Sequence, residues 1–107
     1  MSKFRCSHIL LSHVEAEAAS HLRTLGQAMQ DAEQLSKDIK QGKVSFQDVA
    51  AKNSHCASGP RFGGDLGWKE EWEMPPDFVK AVLNIPIGEI GPPIITEAGV
   101  HIVLRTG

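Results

Sequence analysis

The chain has 107 residues, of which 41% are hydrophobic and 22% charged, with a formal net charge of −2 and a pI of about 6.2. That is enough for one domain with a real core and too little for two, so a single domain over residues 1–107 is expected. The weak negative balance excludes a nucleic-acid partner on bulk electrostatics, and no apolar run approaches a membrane span or a signal-peptide core. Cys6 and Cys56 are too few for a disulfide scaffold and fit a reducing compartment, the cytoplasm or the nucleus. A monomer is the simplest state.

Lys3 to Leu11 reads as a strand, with Cys6, His8 and Leu10 on one face and Ser7, Ile9 and Leu11 on the other. From about Glu15 to Gln41 the period turns helical, because Leu22, Leu25, Met29, Ala32, Leu35 and Ile39 form one apolar stripe. Gly26 weakens that run by roughly 1 kcal/mol against alanine, so the helix is secure only beyond it, and Gly42 is its stop. Ser45-x-x-Asp48 opens a second short helix that turns Phe46, Val49 and Ala50 inward. Ser54 to Asp65 is a loop rich in Gly, Ser and Pro, ending in Gly63-Gly64-Asp65-Leu66-Gly67, where several positions need unusual backbone angles. Pro75-Pro76-Asp77 starts a third short helix through Phe78, Val79, Val82 and Leu83. Ile90–Thr96 and Val100–Arg105 read as strands joined by Glu97-Ala98-Gly99. The order predicts an α+β fold in which helices cover a small, mostly antiparallel sheet.

Two positions break the apolar pattern of the terminal strands. His8 lies in Cys6-Ser7-His8-Ile9-Leu10 and His101 in Gly99-Val100-His101-Ile102-Val103, both runs otherwise suited to burial. A buried imidazole must find a partner or cost free energy, so the two histidines are expected to satisfy each other if the first and last strands are neighbours. The bland outcome is a core pair that only fixes the sheet. The richer one is a polar site on the sheet surface.

These two runs, with Gly63-Gly64-Asp65-Leu66-Gly67 between them, resemble in order and over essentially the whole chain the signatures of the parvulin-type peptidyl-prolyl isomerases. The resemblance implies a parvulin-like (FKBP-like) fold, a four-stranded antiparallel sheet wrapped by three to four helices, with a shallow proline pocket. It implies His8, Cys56, Thr96 and His101 as the polar catalytic set and Leu66, Met74 and Phe78 as the apolar floor for the proline ring. Proline-containing peptides or proteins would be the substrates, with no cofactor and no metal. The alternative on the same fold is a non-catalytic module or folding chaperone that grips proline segments.

Two rival chemistries fit less well. A Cys–His hydrolase using Cys56 lacks a third orienting residue, and a zinc site from Cys6, His8, Cys56 and His101 lacks the usual ligand spacing. The chain also departs from the phosphate-directed branch of the family, which carries a basic cluster after the first strand. Here Ser12-His13-Val14-Glu15-Ala16-Glu17-Ala18 holds two glutamates and no lysine or arginine, so a phosphoserine before proline should be repelled. Arg23 and Arg61 are the residues that could rescue phosphate binding, and Ala98 stands where a hydroxyl often accompanies the second histidine. No tandem-aromatic WW-type module precedes the first strand, so a stand-alone catalytic domain or an excised fragment is expected. Trp68 and Trp72 could form a surface-binding edge but are expected to cover the sheet or the pocket rim. The acidic run Glu70, Glu71 and Glu73 reads as a solvated face or, as the alternative, as a preference for basic or apolar residues near the substrate proline.

Overall fold

A computed structural model of the chain describes residues 3–11, 24–53, 63–96 and 99–107. In chain order it contains β1 (Lys3–Leu11), α1 (Leu25–Lys40), α2 (Phe46–Asn53), β2 (Asp65–Glu70), a single 3-10 turn (Glu71–Glu73), α3 (Pro76–Leu83), β3 (Ile94–Thr96) and β4 (Gly99–Arg105). The strands form one sheet in the order β2-β1-β4-β3, every pair antiparallel. The first and last strands are the two central ones, as the histidines required.

The period-two alternation of the central strands builds a core on each side of the sheet. Ile9, Leu11, Val100 and Ile102 face α1 and α2, where Ala28, Ala32, Phe46, Val49 and Ala50 complete the larger core. The small alanines of α1 let that helix lie close to the sheet. On the opposite face Phe4, Cys6 and Val103 meet Phe78, Val79 and Val82 of α3, together with Ile85. Arg105 fastens α3 over this second core, because its guanidinium donates to the carbonyl oxygens of Leu83 at 3.2 Å and Ile85 at 3.0 Å. The Leu83 carbonyl is one that a helix end leaves without an intrahelical partner, and Ile85 lies just beyond that end.

Three elements differ from the sequence expectation. α1 begins at Leu25, where the Thr24 side chain accepts a hydrogen bond from the Gln27 N–H at 3.1 Å, so Gly26 falls in the first turn. The expected stretch 15–23 lies outside the described residues. The strand read over Ile90–Thr96 is confined to Ile94–Thr96, with Ile90 making only an isolated bridge to Leu104. Pro92 and Pro93 have no N–H to give a ladder, which explains the gap.

The third difference is β2, which the sequence suggested only as the end of a loop. Arg5 and Ser7 of β1 face Trp68 and Asp65, so β2 carries one extra residue, a bulge around Leu66 and Gly67. Gly67 takes φ +73°, and its N–H donates to Asp65 Oδ1 at 2.9 Å. Gly64 sits at φ +89° directly against β1, and its carbonyl accepts from the His8 N–H at 2.9 Å. A Cβ at Gly64 would lie 2.5 Å from the His8 carbonyl oxygen. Gly64→Ala therefore combines left-handed strain with a backbone clash, and we expect a loss of roughly 2–4 kcal/mol in denaturant unfolding. An unchanged midpoint would contradict this close approach.

Candidate active site

The antiparallel register fixes how the two histidines meet. His8 is opposite Val103 and His101 is opposite Leu10, so the histidines are diagonal neighbours on one face of the β1–β4 pair. Diagonal positions are about 7–8 Å apart, within reach of two imidazoles. The rings stack at a centroid distance of 5.2 Å and 18° between planes, and the two Nδ1 atoms are 3.0 Å apart. On the other side Thr96 pairs with Gly99, two residues from His101, and its Oγ1 lies 2.6 Å from His101 Nε2. A polar chain Thr96–His101–His8 thus crosses three adjacent strands.

Two neutral imidazoles joined through Nδ1 must hold opposite tautomers, one donating and one accepting. Either direction satisfies both nitrogens of His101 and one of His8. His8 Nε2 is left buried with no hydrogen-bond partner among the described residues. Each histidine is only 5% exposed, and burial pushes both pKa values down to about 4, with the proximity of His8 adding to the effect at His101. The pair is therefore uncharged at neutral pH. Burial likewise pushes the Cys6 thiol up to about 12, which leaves it an inert core residue.

Phe78 closes this chain on the apolar side. Its ring is edge-on to both imidazoles, with centroids 6.2 Å from His8 and 5.2 Å from His101. Leu66 and Met74 are half-buried against the same core cluster as Phe78. The bulge explains how Leu66 gets there. Trp68, two residues later, is opposite Arg5 and 59% exposed, so simple alternation would turn Leu66 outward with it. The extra residue at Gly67 re-aims the chain, and Arg5 holds the turn by donating to Asp65 through Nε at 3.3 Å and Nη2 at 2.6 Å. The hydrogen-bonded guanidinium keeps the Asp65 carboxyl below the usual carboxylate range.

Of the residues singled out from sequence, the structure brings together His8, Thr96, His101, Leu66, Met74 and Phe78 on one face of the sheet. Cys56, Arg23, Arg61 and Ala98 lie outside the described residues. Trp72 is 77% exposed and Trp68 is largely so, so neither covers the sheet. Sequence reading missed the Arg5–Asp65 pair. The only available signal was a basic residue and an acidic one in separate segments, and pairing them requires the strand register. Among the described residues no three His, Cys, Asp or Glu side chains converge to hold a metal ion.

Two outcomes follow from this geometry. The histidines have lowered folded-state pKa values, so the unfolded chain binds more protons between about pH 4 and pH 6.5. Their contribution to stability is fully present above about pH 6.5 and is lost as the pH falls towards 4. Imidazole nitrogen NMR should show both rings neutral at pH 6, whereas a ring titrating near 6.5 would contradict their burial. Thr96→Val, which strips the hydroxyl from His101 Nε2, should cost about 1–3 kcal/mol in thermal or denaturant unfolding.

The profile of the rotamase family, described as the PPIC-type peptidyl-prolyl isomerase domain, matches residues 8–107. A peptidyl-prolyl cis-trans isomerase named Pin1 from Digitalis lanata is 34% identical, over 98% of this chain and 97% of its own. The foldase protein PrsA of Bacillus subtilis is 33% identical over 97% of this chain, which spans 30% of that longer protein. The solved structure of the peptidyl-prolyl isomerase ESS1 from Candida albicans superposes with a TM-score of 0.89 at 32% identity, over 98% of this chain and 63% of that one. By sequence and by fold, the chain belongs to the parvulin family of peptidyl-prolyl cis-trans isomerases.

Proposed function

We propose that the chain, as one domain over residues 1–107, accelerates rotation about Xaa-Pro bonds in peptides and proteins without requiring phosphoserine or phosphothreonine before the proline. The observation that carries this reading is a neutral, buried histidine pair with Phe78 edge-on to both rings. In this reading Leu66, Met74 and Phe78 clamp the proline ring. Thr96, His101 and His8 hold the polar side rigid. Cys56, placed by family resemblance, is a polar pocket wall and not an attacking thiolate. No cofactor or metal takes part. The protein acts as a monomer in a reducing compartment, the cytoplasm or nucleus.

The energetics suit such a site. Resonance sets a barrier of about 18–20 kcal/mol, and uncatalysed exchange takes tens to hundreds of seconds. A turnover near 10 s⁻¹ then needs about three decades, or roughly 4 kcal/mol. One preorganised hydrogen bond in a dry site supplies about 3–4 kcal/mol, so no covalent step is needed. The twisting amide loses charge separation, so a water-poor pocket favours it over the planar ground state. The neutral histidines add no fixed charge that would oppose this.

The phosphate-independent part of the reading rests on this chain's own charges. Glu15 and Glu17 occupy the segment after β1, with no lysine or arginine from Ser12 to Ala18. The relatives lend this part no support, since more of those at similar identity are named Pin1 or ESS1 than chaperone or foldase. The foldase relative also favours a second reading, in which the same pocket grips proline segments without turning them over.

Proline exchange NMR on matched peptides with Leu, Arg, Glu or phosphoserine before the proline tests both. We expect accelerated exchange for Leu and Arg, with phosphoserine no better than Glu. Faster exchange on phosphorylation, lost in Arg61→Ala, would overturn phosphate independence. Peptide shifts without acceleration would establish the holding role instead. Cys56→Ser should retain turnover; its abolition with the fold intact would overturn the modest role given to that thiol.

A further inference from the structure

The 3-10 turn and α3 border a groove that uses none of the residues proposed above to hold the proline. It has a volume of about 530 Å³ and is lined by Glu71 and Trp72 on one side and by Pro76, Val79, Lys80 and Leu83 of α3 on the other. Pro76, Val79 and Leu83 recur at helical spacing, so one stripe of α3 floors this groove while Phe78 on the same helix faces the histidines. Met74, which packs beside Phe78, lies between Trp72 and Pro76 in the chain. The groove therefore shares α3 with the residues proposed above to hold the proline.

Trp72 is 77% exposed, the most exposed of the large apolar side chains in the described residues. The carboxylates around it divide sharply. Glu70 lies 3.8 Å from Lys3. Glu73 lies 3.9 Å from Lys69 and also accepts the Glu70 backbone N–H at 3.1 Å, which fixes the turn. Glu71 alone of the three lines the groove, and it has no ion-pair partner among the described residues. Lys80 stands on the opposite wall, so the groove carries one charge of each sign, with the negative one beside the indole.

We propose that this groove is a substrate subsite for a lysine or arginine near the isomerised proline, its aliphatic stem on the Trp72 indole and its cation at the Glu71 carboxylate. This rests on the proline pocket proposed above and adds the substrate class. An exposed indole beside an uncommitted carboxylate matches the two halves of such a side chain, an apolar stem and a charged tip. An acidic substrate residue seated on the indole would meet Glu71 and be repelled, leaving it only Lys80 on the opposite wall.

The test compares peptides that differ only in Lys, norleucine or Glu at successive positions either side of the proline, with kcat and KM read separately by exchange NMR. At the best position the Lys peptide should have a KM about three- to tenfold below the Glu peptide. Glu71→Gln should erase the advantage of Lys over norleucine, Trp72→Phe should keep most of it, and Trp72→Ala should remove the advantage of both apolar stems. Equal KM values across the peptides, or ratios unmoved by these variants, would overturn the subsite. If no peptide is turned over, the isomerase reading fails, but the Trp72 indole N–H still reports: a shift with the Lys peptide and none with Glu supports the subsite, and no shift with either overturns it. Sedimentation velocity completes the set, since a dimer abolished by Trp72→Ala would assign the groove to a second copy of the chain and overturn the proposal.

Discussion

Everything at this site depends on one contact, the Nδ1–Nδ1 approach of His8 and His101 at 3.0 Å. Each imidazole would be costly to bury alone. Buried together, each satisfies one nitrogen of the other, and Thr96 takes the remaining nitrogen of His101. The arrangement exists only if β1 and β4 are antiparallel neighbours in the observed register, because a slip of one residue would turn one histidine to the opposite face. The polar chain and the topology therefore specify each other. Neutrality follows from the same burial, since a proton on either ring would place a charge beside Phe78 and the second core.

The two faces of the sheet divide the labour. Among the described residues the face under α1 and α2 carries the larger cluster of buried apolar side chains. Among the described residues the other face is covered chiefly by α3, and Leu66, Met74, Leu83 and Ile94 remain only partly buried against it. In the proposed reading these partly buried side chains are the apolar surface that receives the proline ring. Rigidity there comes less from depth of packing than from directional bonds: Arg105 on the end of α3, Arg5 on Asp65, and Gly64 against β1.

The parts legible in the sequence were those governed by periodicity and by unusual residues in a regular pattern. The alternation of β1, the stripe of α1 around Ala32, and the proline start of α3 each reflect local rules. Two histidines in apolar strands announced a long-range contact because burial physics gives them few other options. The bulged β2 was not legible, because Asp65-Leu66-Gly67 reads equally as a turn, and only pairing with β1 makes it a strand. Thr24 as the start of α1 was hidden by an apolar period that runs on past it in both directions. The family resemblance grouped Leu66, Met74 and Phe78, which local rules could not do, and the three pack in one cluster.

The bulge ties these observations together. A regular β2 would place Leu66 and Trp68 on the same face, and the apolar floor would lose the member that reaches it from the far side of β1. One inserted position with a left-handed Gly67 separates them, sending Leu66 to the histidine face while Trp68 stays outside. The glycines and the aspartate of Gly63-Gly64-Asp65-Leu66-Gly67 thus act on the pocket without lining it. Gly64 lets the turn touch His8, Asp65 anchors it to Arg5, and Gly67 bends it. In the proposed reading a rate enhancement of about 4 kcal/mol is within reach of positioning alone, and this turn would supply that positioning by holding Leu66 on the histidine face.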